Sequence, residues 1–161
     1  MTITELMNGR TVNADYEGIA TTDDFVLAIK TATTQTDPKQ YIVVQGGVTS
    51  YGASISSETE DKQYIRTGKS TSRKDAQRKF TVAGDRMCAD DAQEFLLDLK
   101  FATGGRARVD YVYFNILTGK GEQGTLTVDV TEDAGGDAGS NATFSINLSG
   151  TQKPSEYVYS A

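Results

Sequence analysis

The chain has no histidine, no tryptophan, one cysteine and two prolines in 161 residues. Without histidine, Ser-His-Asp and Cys-His catalysis are excluded, along with most zinc sites. An enzyme that works with carboxylates alone stays open on that inventory. The lone cysteine, Cys88, has no intrachain partner for a disulfide. It reads as a small buried or half-buried hydrophobe. No apolar run approaches the roughly 18 residues a membrane helix requires. The opening stretch MTITELMNGRTVNADY lacks a basic head followed by an apolar segment, so no secretory signal is expected. The expected site of synthesis and folding is a cytoplasm.

What remains is 37% apolar and 24% charged, a globular balance with enough residues for a core. Charge is unevenly distributed. Residues 1–61 hold nine acids and three bases, and residues 80–161 hold twelve acids and six bases. Between them, residues 62–79 carry seven bases, Lys62, Arg66, Lys69, Arg73, Lys74, Arg78 and Lys79, against the single acid Asp75. An acidic body therefore carries one basic segment.

Most of the sequence alternates with period two. FVLAIKTATT, TLTVDVT and TFSINLSG place Leu27 and Ile29, Val128 and Val130, and Ile146 and Leu148 on single faces. Such alternation, rich in Val, Ile, Thr and aromatics, predicts half-buried strands. YIVVQG, KFTVAG, RVDYVYFNIL and EYVYS complete the set, and YVYFNI is apolar on both faces, as a central covered strand would be. One segment follows a helical period: Ala92, Phe95, Leu96 and Leu99 form a stripe. Asp90 is its expected N-cap, Gln93 the expected second half of a capping box, and Gly104-Gly105 its end, giving about 12 residues. The plan is mainly β, all-β or α+β, with one helix against a sheet. No linker or repeat divides it, so a single domain is expected over 1–161.

Short motifs reduce to structure. GKGEQG (119–124) matches G-x-G-x-x-G but leads into a strand, whereas a dinucleotide site must open a helix. It reads as glycines of a hairpin turn. TGKST (67–71) has the end of a phosphate loop without its first glycine. Asp23-Asp24, Asp90-Asp91 and Glu132-Asp133 read as a strand start, a helix N-terminus and a turn. No catalytic, cofactor-binding or metal-ligating residue is assigned. For the basic segment three readings stay open: nucleic-acid binding, a solvated face without a role, and self-association against the acidic body of another copy.

Three stretches carry a resemblance. YGASISSETEDKQYIRTGKSTSRKDAQRKFTVAGDR, DYVYFNILTGKGEQGTLTVDV and KPSEYVYS, in that order, resemble the major tail protein, or major structural protein, of phages infecting Gram-positive bacteria. The resemblance implies a tail tube protein of the virion. It implies a β-sandwich or partly closed barrel flanked by one helix. Six copies would form a ring and rings would stack into a tube through which DNA passes without specific binding. The implied partners are further copies and other tail proteins: tape measure, tail terminator and baseplate or distal tail components. No membrane partner is implied. A long polar loop, about 50–72, and an N-terminal arm, about 1–22, would reach neighbouring subunits. Lys62, Arg66, Lys69, Arg73, Lys74 and Arg78 are then the expected subunit or ring interface, and Glu58, Glu60 and Asp61 the expected acidic lumen face. A capsid or capsid-decorating protein, or a monomeric β-sandwich binding module, is the alternative.

Overall fold

A computed structural model describes residues 1–161. Eight strands form one antiparallel sheet: β1 (Phe25–Ile29), β2 (Ile42–Val43), β3 (Val48–Tyr64), β4 (Gly68–Asp85), β5 (Arg108–Asn115), β6 (Lys120–Gly135), β7 (Thr143–Gly150) and β8 (Ser155–Val158). Their order is β2-β1-β5-β6-β7-β4-β3, with β8 pairing β6 where β7 has ended. Two helices join them, α1 (Ile3–Leu6) and α2 (Asp91–Asp98). The architecture is the mainly β plan expected, and no helix is long and apolar enough to cross a membrane.

Register explains the core. Directly opposed residues share a face in an antiparallel sheet. Val128, Leu148 and Phe80 therefore form one row across β6, β7 and β4, and Val130, Ile146 and Val82 the next. These residues join Leu27, Ile29, Tyr111 and Leu126 in the main core. The sheet curls strongly to achieve this. Phe80 on β4 lies 5.6 Å from the ring of Tyr111 and 4.9 Å from that of Tyr113, both on β5, although β6 and β7 separate those strands. Helix α2 fills the interior with Ala92, Leu96 and Leu97. Each of the two leucines contributes about 1.5–3 kcal/mol by leaving water.

The opposite face of β1 and β5 has its own core. Val26, Ala28, Val112 and Phe114 pack against Ile3, Met7, Tyr41 and Tyr157. β5 is thus covered on both sides, as its doubly apolar sequence predicts. The same packing corrects the view of residues 1–22 as one free arm. Ile3 and Met7 are buried, and the Ile3 N–H donates to Tyr41 O at 3.2 Å. Only the stretch from Asn8 to Thr22 runs mostly exposed over the surface.

Other expectations change. Residues 50–72 are not a loop; they belong to a β3–β4 hairpin whose ladder runs to Tyr64–Gly68. Their Ser, Thr and charged residues show no apolar period because neither face is buried. α2 is capped by Asp90, whose carboxylate accepts from Gln93 N–H at 3.1 Å, but it is eight residues long. Beyond it the chain tightens into i→i−3 bonds, with Lys100 N–H donating to Leu97 O at 3.2 Å. Gln93 does not close a capping box. It is buried, accepts from Met87 N–H, and donates to the carbonyls of Gly46 and Asp85, joining the start of the hairpin to its end. In GKGEQG only Gly119 turns, at φ +73; Gly121 and Gly124 lie within β6. A Cβ on Gly121 would collide with Tyr113 O and Phe114 Cα across the ladder. Glu132-Asp133 lies in β6, at a register shift rather than in a turn. Cys88 is exposed, because the chain turns at the surface there and Ala89 adopts φ +63.

Candidate assembly surface

β4 has β7 as a second neighbour only from Lys79 to Asp85, and β3 pairs with β4 alone. Between Ile55 and Gln77 the two strands therefore leave the body as a two-stranded ribbon. Every residue from Ser54 to Gln77 is exposed except Glu60 and Gly68, which are partly covered. At about 3.3 Å per residue the ribbon projects roughly 35 Å. An isolated two-stranded ribbon is marginal in water, since it satisfies backbone groups without burying a face.

Its tip is a three-residue turn, Ile65–Thr67, between Tyr64 and Gly68. Arg66 and Gly68 take φ +69 and +85, the left-handed conformation such a turn demands. Tyr64 is 52% exposed and Ile65 88%. An exposed Ile at the end of a polar arm has no folding purpose within this chain.

The predicted cations separate into two groups. Lys69 Nζ lies 3.1 Å from Asp61, and Lys74 Nζ 3.9 Å from Glu60. Thr71 also donates to Asp61 at 2.6 Å; that bond first, and Lys69 second, hold the Asp61 carboxyl below its usual range. Lys62, Arg66 and Arg73 have no carboxylate partner within the chain. The acids assigned to a lumen do not share one face. Opposed pairs Thr59–Arg73, Asp61–Thr71 and Gln63–Lys69 lie on one side, while Glu58 and Glu60 point to the other.

Arg78 belongs to the body. Its guanidinium sits 4.7 Å from the centre of Phe80 and 4.9 Å from that of Tyr113, with Nε 2.6 Å from Glu122 Oε1. The arrangement joins ion pairing to cation–π stacking in a half-desolvated place. Burial pushes the Glu122 carboxyl up, and Arg78 partly offsets it. Burial also pushes up the phenol of Tyr111, whose hydroxyl has no hydrogen-bond partner. Arg78 and Glu122 also line an open groove of about 350 Å³, together with Ile55 and Ala76 of the ribbon root and Pro154 and Ser155 before and in β8. Sequence reasoning missed it, because Glu122 sat inside a glycine motif and its partner is 44 residues away in sequence.

No family profile and no curated protein matches the sequence. Solved structures do match in shape. One is a chain from the tail of an empty gene transfer agent particle refined with C6 symmetry, at TM-score 0.64 and 14% identity, covering 88% of this chain and 100% of that one. A chain from the virion of a native gene transfer agent particle gives TM-score 0.61 and 15% identity over 87% of this chain and 100% of that one. The cap that terminates the tube of the anti-feeding prophage gives 0.55 and 12% over 91% and 96%. The chain has the fold of these particle proteins. At such identities the likeness speaks for the backbone plan and leaves side-chain roles to this chain's own chemistry.

Proposed function

We propose that this is a structural virion protein of a phage-type tail, whose copies assemble into six-membered rings stacked as a tube that conducts DNA. The observation that carries the reading is the exposed cationic ribbon on a fold shared with chains of assembled tail particles. An arm that buries nothing at home gains its packing when it meets another copy, and its ordering cost is met at that moment. One arm per copy gives a heterologous contact, which closes rings or builds filaments.

Under this reading Lys62, Arg66 and Arg73 face carboxylates of neighbouring copies, with Lys69 and Lys74 beside them. The chain's net charge of −6 suits a channel that repels phosphates rather than holding them. The absence of histidine fits a role without catalysis. Other tail proteins, namely a tape measure, a terminator and a baseplate component, would bound the tube, and the host would be Gram-positive as the sequence resemblance implies. Assembly of the chain would follow synthesis in the host cytoplasm.

A second reading, a tube-terminating cap, is favoured by the likeness to the anti-feeding prophage cap. Negative-stain imaging of the purified chain at high concentration separates the two. Hollow tubes with six-fold end views are expected; rings that never lengthen would favour the cap, and a strictly monomeric solution would end both readings.

A further inference from the structure

Resting on that self-assembly reading, the structure assigns a receptor for the ribbon: the acidic strap that leads into β1, residues 13–24 of a second copy. Four carboxylates, Asp15, Glu17, Asp23 and Asp24, fall between Arg10 and Lys30 with no base among them. Asp24 is occupied as a turn cap, accepting from Thr21 N–H at 2.8 Å. Asp15, Glu17 and Asp23 have no cationic partner within the chain. The ribbon offers three unpaired cations, Lys62, Arg66 and Arg73, so the numbers match.

The apolar parts match as well. The strap exposes Tyr16 at 43% and Ile19 at 93%, and the ribbon tip exposes Tyr64 at 52% and Ile65 at 88%. Exposed charge pairs are individually weak, but they set register and steer encounter. The paired apolar side chains supply burial that neither segment finds at home. A second acidic stretch, Glu132 to Asp137, is less suited. Asp133 is held by Lys100 at 2.9 Å, Glu132 accepts from Thr143, and no large apolar side chain is exposed there.

The strap is anchored, not loose. Asn13 N–H donates to Leu117 O at 2.8 Å, and Lys120 Nζ donates to Ala14 O at 3.3 Å. Its end also fixes which molecule's ribbon it can take. Ala20, Thr21 and Thr22 line a pocket together with Tyr51 and Ala53 at the root of the same chain's ribbon. The tip lies about 12 residues further out, roughly 40 Å away. The outer ribbon does not meet its own strap, since Tyr64 and Ile65 stay exposed and Lys62, Arg66 and Arg73 find no carboxylate in the same chain, so the occupant is a second copy.

Two full-length variants test this: a ribbon reversal, Arg66→Glu with Arg73→Glu, and a strap reversal, Asp15→Lys, Glu17→Lys and Asp23→Lys. All sites are exposed, and thermal melts matching the unaltered chain establish folding. Each variant alone should raise the concentration at which particles form by at least about tenfold, a change of about 1.4 kcal/mol. Mixed in equal amounts they should assemble again, because each ribbon then meets an opposite strap. Strap-reversed copies that assemble normally, or a mixture that stays dispersed, would overturn the assignment while leaving self-assembly standing. An unaltered chain that never assembles would remove both. As an independent measurement, zero-length carbodiimide coupling of mixed light and heavy isotope copies should join Lys62 or Lys69 of one copy to Asp15, Glu17 or Asp23 of another; particles without such links would overturn it. Salt-sensitive retention of duplex DNA by the ribbon, unaffected by strap reversal and without particle formation, would also count against it.

Discussion

The body and the ribbon share β3 and β4 but are held together by different physics. In the body, β6, β7 and the inner end of β4 present Val128, Leu148 and Phe80 to a shared interior, and water is excluded from one face. In the ribbon β4 continues outward beside β3, paired along its length apart from one register shift, with water on both faces. Backbone ladders thus set the conformation in both, but only the body has the burial that makes a conformation stable alone. Ribbon order is on offer to whatever covers it.

That contrast can be attacked from several sides. Leu96→Ala in α2 removes a fully buried side chain and should cost about 3–4 kcal/mol in chemical denaturation of the unassembled chain. Ser57→Ala on the ribbon should stay within about 0.5 kcal/mol. A ribbon site that matched the core site would mean the arm is packed at home. Next comes the joint: Arg78→Ala removes both the stack on Phe80 and Tyr113 and the partner of Glu122, and should cost about 1–3 kcal/mol. Arg73→Ala, a few residues outward, should cost almost nothing.

Excising the arm sharpens the comparison further. Replacing Ser57–Ala76 by Asn-Gly closes the hairpin on the Ser56–Gln77 pair with a favoured two-residue turn. Body stability should shift by less than about 1 kcal/mol while particle formation is lost. A body that unfolds after excision would show that the ribbon stabilises its own chain. The smallest effect lies in acid titration. Glu122 binds its proton more tightly in the folded chain than in the unfolded one, because burial raises its carboxyl. Its contribution to stability therefore improves as pH falls through the range just above ordinary glutamate values. Asp61, held low first by Thr71 and then by Lys69, contributes above the unfolded aspartate value and loses that contribution as pH falls toward its folded value. Stability of the unaltered chain relative to Glu122→Gln should rise on acidification, and relative to Asp61→Asn it should fall; parallel slopes would contradict the placement of one of the two carboxyls.

Sequence reasoning reached the strands wherever one face is apolar. Leu126, Val128 and Val130, and likewise Phe144, Ile146 and Leu148, announce their faces by alternation, and Asp90 announces a helix start. It stopped where the signal is not apolar. The ribbon's alternation is polar on both sides, so its ladder had no hydrophobic trace. The curl that brings Phe80 to Tyr113, and the use of Gln93 to tie Gly46 to Asp85, depend on residues far apart in the chain. At the surface, the cluster of cations was visible as a count. Which of them are already paired was not, because pairing follows register: Lys69 meets Asp61 only through the Gln63–Lys69 alignment. The strap's four acids could have been counted in the same way, since no base falls between Arg10 and Lys30.

The register shift between Glu58 and Thr59 leaves Lys74 as an extra residue on one side of the arm. An extra residue bends a strand and adds twist at that point. Removing Lys74 would leave every other cross-strand partner in place while straightening the arm. The direction in which one molecule reaches for the next could then be altered by a single deletion, with the interior untouched and the order of the outer charges preserved. Under the proposed assembly, that elbow would set the pitch and width of the tube.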